Sequence, residues 1–226
     1  MNQEMLMPSM MCVAPDRVAE TVKIFEEEKI DALHIDVMDG SFVPNYTLGT
    51  DYCRHLKKLS HIPLDFHLMI DRPEDKLSWF PIEKGDYVSI HAESTRHLQR
   101  AIDRAAALGA KPIAAINPAT PLCMVEEVLD CVYAILVMTV NPGYAGQKII
   151  PSTIKKIAAL RQMLNETGHE HVRIQADGNI SYANLPAVRG AGCDMYVVGS
   201  SGFLGSPEAD AVRTGIARFR EGLPIK

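Results

Sequence analysis

The stretch HIDVMDGSFVPN, residues 34–45, sets His34, Asp36 and Asp39 close together in a segment that otherwise reads as buried strand. Charged groups in a core are costly unless a metal, a partner or a proton compensates them. His34 and Asp36 are two apart, so the period-two alternation of a strand points both to one face. His67 lies near the end of another apolar run, LDFHLMI, and Asp177 ends a third, in QADGN. Ser9 ends the first such run, MLMPSM. A lone histidine on an apolar strand is more often a hydrogen-bonded core residue than a ligand. Two imidazoles and two carboxylates from three strands change that reading. His34, Asp36, His67 and Asp177 make a set suited to one divalent cation, compatible with Zn, Mn, Fe or Co, among which spacing does not choose. Asp39 precedes Gly40 and reads as a turn-stabilising residue. His91 and Glu93, in IHAES, read as supporting groups behind the ligands or at a helix cap. Met38, Met69 and Met138 fall at strand ends and would give the cavity an apolar wall.

A second constellation is glycine. NPGYAGQ (141–147), DGNIS (177–181) and GSSGFLG (199–205) follow the last three apolar runs. Each alone reads as a tight turn. Together they suit a phosphate site built from backbone N–H donors and a short helix N-terminus. Such a site needs no lysine or arginine, and only Lys148 is near. A small phosphorylated substrate is the expectation.

The elements that must position these residues are eight short apolar runs alternating with amphipathic stretches. The runs are MLMPSM, ALHIDVM, LDFHLMI, YVSIHA, KPIAAIN, AILVMTV, VRIQAD and MYVVGS. Helical periodicity appears in DRVAETVKIFEEEK, RHLQRAIDRAAALG and STIKKIAALRQMLNETG, with GAK and GAGCD as helix ends. About eight βα units in 226 residues predict a (β/α)8 TIM barrel, one domain over residues 1–226. A doubly wound open sheet would show a glycine fingerprint after its first strand, and MLMPSMMC has none. In a barrel the strand ends gather Ser9, His34, Asp36, His67 and Asp177 at one mouth.

The composition is that of a globular chain, 47% hydrophobic and 23% charged, with net charge -5. No basic cluster offers a footprint for nucleic acid or an anionic membrane. No apolar run approaches the ~20 residues that span a bilayer, and the N-terminal residues lack the order of a signal peptide. Five cysteines without a C-x-x-C pair read as reduced thiols, with a cytoplasmic location. A homo-oligomer is compatible with the sequence but not required by it.

PSMMC, HIDVMDGSFVPN, PLDFHLM, INPATP, VMTVNPGYAGQ, ADGNIS and VVGSSGF, in that order, resemble the ribulose-phosphate 3-epimerase family over essentially the whole chain. The resemblance implies a barrel that binds one divalent cation through His34, Asp36, His67 and Asp177. It also implies that Asp36 and Asp177 are the acid–base pair inverting carbon 3 of a 2-ketose phosphate. Ser9 and His67 would contact the substrate. Its phosphate would lie against Gly143, Tyr144, Ala145, Gly146, Gly178, Asn179, Gly199, Ser200 and Ser201. The pentose-phosphate enzymes usually read PGFGGQ, DGG and GSA where this chain has PGYAGQ, DGN and GSSG. Two of these departures, with PSMMC and PLDFHLMIDRPED, look closer to the D-allulose-6-phosphate 3-epimerase branch. Allulose 6-phosphate is therefore the expected substrate, with ribulose 5-phosphate as the alternative. Barrels that decarboxylate or condense sugar phosphates carry an Asp-x-Lys-x-x-Asp strand, which DVMD does not match. A non-catalytic phospho-sugar-binding barrel would need the glycine loops but not the two carboxylates. The segment GSFVPNYT is expected to act as a lid.

Overall fold

Apolar runs of four to seven residues, rich in Val, Ile and Leu, fold into strands that are buried along nearly their whole length, as parallel strands covered on both faces must be. The computed structural model describes residues 4–222, so the outer edges of the expected domain lie outside the described residues. The strands are β1 (Met5–Pro8), β2 (Leu33–Asp39), β3 (Tyr46–Thr47), β4 (Leu64–Met69), β5 (Tyr87–His91), β6 (Lys111–Ile116), β7 (Ala134–Met138), β8 (Arg173–Asp177) and β9 (Met195–Val198). All pair in parallel except β3, a two-residue arm antiparallel to β2. The order runs β1-β9-β8-β7-β6-β5-β4-β2, and a parallel bridge between Ser9 and His34 closes the ring. The result is a (β/α)8 barrel, as the alternation of runs predicts.

Period-two alternation splits each strand between two cores. In β7, Ala134, Leu136 and Met138 face the barrel interior with Met5, Met7, Ile113 and Met195. Ile135 and Val137 face outward into the larger core. There they meet the apolar stripes of the helices α1 (Val18–Glu27), α2 (Thr50–Leu59), α3 (Leu98–Ala107), α4 (Pro151–Glu166), α5 (Leu185–Gly190) and α6 (Ala209–Glu221). Phe25, Ile102, Leu160 and Phe219 are the centres of four such stripes and are fully buried.

Two of the seven crossovers between successive parallel strands carry no α-helix. After β4 the chain runs through 3-10 turns at Pro73–Asp75 and Leu77–Trp79, and after β6 through Leu122–Met124 and Glu126–Cys131. Prolines flank both. Pro73 and Pro81 bracket the first crossover, while Pro118 and Pro121 stand at the start of the second. Proline lacks the N–H that would extend an α-helix. The GAK and GAGCD helix ends form as expected, with Gly109 at φ 86° and Gly192 at φ 100°.

Candidate active site

The C-terminal ends of the strands deliver the expected residues to one place. β2 carries His34 and Asp36 inward, β4 carries His67, and β8 ends on Asp177. His34 Nε2 lies 3.3 Å from Asp36 Oδ1 and 3.7 Å from Asp177 Oδ2. His67 Nδ1 lies 3.4 Å from each of the same two carboxylate oxygens. One donor atom from each residue falls within 4.8 Å of all the others. Adjacent ligands about 2.1 Å from one divalent ion stand about 3 to 3.4 Å apart, and the four histidine–carboxylate spacings are close to that size. His34 Nε2 is a buried nitrogen with no hydrogen-bond partner. Burying it unpaired would be costly unless a ligand accepted its lone pair. The residues fit a divalent cation.

The electrostatics agree. Burial alone would push both imidazoles down, but Asp36 and Asp65 beside His34, and Asp177 and Asp36 beside His67, hold both above the usual histidine range. Burial would raise Asp36 and Asp177, yet the two imidazoles hold both carboxyls below theirs. Without a metal the site thus concentrates anionic oxygen and balances it with protons. A divalent cation replaces those protons.

Three of the four candidate ligands are held from behind. Ser9 Oγ donates to Asp36 Oδ2 at 2.6 Å. Asp65, fully buried two residues before His67, lies 2.6 Å from His34 Nδ1 and also accepts from Gln175 Nε2 at 2.6 Å. With a proton on Nδ1 held by Asp65, Nε2 of His34 is the nitrogen that would give up its proton to a cation at the centre. His67 Nε2 lies 2.8 Å from His91 Nε2, and His91 Nδ1 lies 3.2 Å from Glu93 Oε2. His91 and Glu93 therefore stand behind a ligand, as the sequence suggests. Asp65 and Gln175 are additions that the sequence motifs do not pick out. The period-two rule that pairs His34 with Asp36 also pairs Asp65 with His67 and Gln175 with Asp177, and it is the signal that finds them.

Above the four residues opens a cleft at the mouth of the barrel. Ser9, Asp36, Asp177 and all three glycine loops line it, including Gly143, Tyr144, Ala145, Gly146, Gly178, Asn179, Gly199, Ser200 and Ser201. Met38, Met69 and Met138 form its apolar wall. His34 and His67 are fully buried beneath this lining, and both ring nitrogens of His67 face protein side chains. Gly178, at φ 116°, needs its missing side chain, because a Cβ there would stand 2.6 Å from Val140 Cγ2. Asn179 sits at φ 55°, the left-handed region that asparagine tolerates best after glycine. The loop after β9 is closed by bonds from Gly202 N and Leu204 N to Gly199 O, a turn where a short helix N-terminus was expected.

Residues 40–47 fold over one side of the cleft. Asp39 forms the expected turn, accepting from the N–H groups of Ser41, Phe42 and Asp71 and from Lys76. Val43 is buried on Met38 and Met69, and the Phe42 ring packs 4.9 Å from that of His91. Tyr144 Oη donates to Pro44 O at 2.6 Å, and Asn45 Nδ2 donates to Gly143 O at 2.8 Å. The segment is thereby fastened to the first glycine loop.

Comparison with known proteins places this arrangement. KGPDC from Streptococcus mutans superimposes with a TM-score of 0.68 over 99% of this chain and 100% of that one, at 10% identity, a likeness of fold alone. Ribulose-phosphate 3-epimerase of Methanocaldococcus jannaschii is 42% identical over 202 residues, 89% of this chain and 83% of the relative. The chloroplastic ribulose-5-phosphate-3-epimerase of Arabidopsis thaliana is 41% identical over 208 residues, 91% of this chain and 74% of the relative. The family model described as "Ribulose-phosphate 3 epimerase family" matches residues 5–203. With that match spanning the strands that carry the four-residue cluster, the chain belongs to the ribulose-phosphate 3-epimerase family and is an isomerase acting on carbohydrate phosphates.

Proposed function

We propose that the protein interconverts D-ribulose 5-phosphate and D-xylulose 5-phosphate by inverting carbon 3, with Asp36 and Asp177 as its two acid–base groups. The observation that carries this reading is that two carboxylates from different sides of the mouth share the same two imidazoles and line one cleft. β2 and β8 are separated by β1 and β9 around the ring, so the carboxylates approach the cleft from different directions.

The carbon-3 proton of a 2-ketose is weakly acidic, and its removal gives an enediolate. His34, Asp36, His67 and Asp177 would hold a divalent cation, which supplies Lewis-acid stabilisation of the developing negative charge when bound. One aspartate, ionised, takes the proton from one face of carbon 3. The other, protonated, returns a proton to the opposite face, and the roles exchange for the other epimer. Ser9 holds the Asp36 carboxylate in place through its hydrogen bond. The three methionines and Val43 keep water from the planar intermediate. Backbone groups of the loops at 143–146, 178–179 and 199–201 grip the phosphate.

The relatives favour the five-carbon substrate over the allulose 6-phosphate expected from the loop sequences. Relatives at 34–42% identity carry the name of a ribulose-phosphate epimerase. The loop departures also lie on the phosphate side of the cleft. Ala145 is exposed and Asn179 keeps the left-handed backbone that a glycine would take. Side-by-side kinetics test the reading. Ribulose 5-phosphate should give the higher kcat/KM, and a clear preference for allulose 6-phosphate would overturn it.

A further inference from the structure

Behind His67 runs a chain of contacts that the acid–base chemistry does not use. His67 Nε2 and His91 Nε2 are 2.8 Å apart, His91 Nδ1 is 3.2 Å from Glu93 Oε2, and both rings are fully buried. Two ring nitrogens at that distance share one proton, because two N–H groups would collide and two lone pairs would repel. Glu93 Oε1 accepts from Asn117 N at 2.8 Å and from the Thr120 hydroxyl. Burial would raise the Glu93 carboxyl, but hydrogen bonds from His91, Thr120 and Asn117 outweigh it and hold the group at about 2. At neutral pH Glu93 therefore only accepts.

We infer that Glu93 and His91 are positioning residues that fix which nitrogen of His67 keeps its proton, leaving Nδ1 for a cation. The inference rests on the metal-site reading given above. Each step follows from the one before. An accepting Glu93 requires the His91 proton on Nδ1. His91 Nε2 is then a lone pair and accepts from His67 Nε2–H. His67 Nδ1, facing Asp36 and Asp177, is then the nitrogen that gives up its proton when a cation binds. The carboxylate thus acts through two imidazoles, whereas Asp65 acts on His34 directly.

Glu93→Gln is the sharp test, because it keeps the shape and can keep an oxygen toward Asn117 and Thr120. The amide then turns an NH2 donor toward His91 Nδ1. His91 must move its proton to Nε2, and His67 must move its own to Nδ1, in front of the metal. Zinc affinity, measured by chelator competition on the full chain, should fall about 10- to 100-fold, the range for loss of a group that orients a ligand. Glu93→Ala removes the acceptor without imposing a donor, so His91 can keep its proton on Nδ1 and zinc affinity should fall less. A Glu93 that merely anchors residues 117–120 predicts the reverse, with the alanine variant at least as impaired as the glutamine variant. That order would overturn the inference.

Nitrogen-15 NMR of zinc-loaded wild type gives a second readout that no variant's folding can spoil. The His91 proton should reside on Nδ1 and that of His67 on Nε2, and a His91 proton on Nε2 would refute the relay. A wild-type chain that takes up no zinc would remove the metal reading and the relay with it. Zinc uptake with equal affinity in wild type and Glu93→Gln would remove the relay alone.

Discussion

The two ends of the barrel both hold charge, and they treat it in opposite ways. At the N-terminal ends of the strands, Lys111 Nζ stands 4.6 Å from the centre of the Tyr87 ring and 5.1 Å from that of Tyr133. It also donates to Tyr87 Oη at 3.1 Å, and the Arg173 guanidinium lies 5.5 Å from the Tyr133 ring. Cations there rest on aromatic faces and close the barrel floor. At the C-terminal ends, two carboxylates and two imidazoles converge beneath an open cleft, and one imidazole nitrogen has no partner. The first arrangement satisfies its charges, while the second leaves them something still to bind. That difference separates a stabilising end from a reactive one.

The largest effect expected from breaking this contrast is at the reactive end. Asp177→Asn keeps the side-chain shape but has no useful basicity, and should lower epimerisation by at least ~10²-fold. Metal content should be measured beside the rate, since Asp177 is also a candidate ligand. Near wild-type turnover would dismiss the two-carboxylate reading.

A second expectation concerns pH. His34 and His67 are held above the usual histidine value of 6.5 in the metal-free chain, so a cation must displace protons from them. Metal affinity should rise with pH through and beyond 6.5. The sign for metal-free stability is opposite. Raised histidines contribute stability that is complete below 6.5 and lost as pH climbs through their folded-state values. Melting curves from pH 6 to 9 should show the metal-free protein weakening relative to the metal-loaded form. A gap that narrows as pH rises would contradict the charge balance described above.

The smallest effect should come from the floor. Lys111→Ala removes two cation–π contacts and one hydrogen bond, together worth about 1 kcal/mol at a partly exposed site. The melting temperature should drop by a few degrees while kcat/KM is unchanged. A loss of activity without loss of stability would blur the distinction between the ends.

How legible these ends are in the sequence depends on the range of the interactions. The strands announce themselves because each is a local run of β-branched and aliphatic residues. His34, Asp36, His67 and Asp177 stand out because charged or imidazole groups at inward positions break those runs. The helix-free crossovers are hidden because their 3-10 turns, three to six residues long, carry no helical periodicity to read. The His67–His91–Glu93 chain is legible only as a suspicion, since no local pattern brings residues 24 positions apart to hydrogen-bond distance. The floor gives no signal at all. Tyr87, Lys111 and Arg173 look like ordinary strand-start residues until the ring closes and sets them side by side.

The fastening of residues 44 and 45 to residues 143 and 144 has a mechanical consequence. Residues 40–47 and the first glycine loop are tied by two hydrogen bonds and so form one connected part of the rim. A shift of the 143–147 loop therefore pulls on residues 44 and 45 as well. Under the proposed function, holding the far end of the substrate and covering its reacting end would be coupled, although the two segments are separated by about a hundred residues of chain.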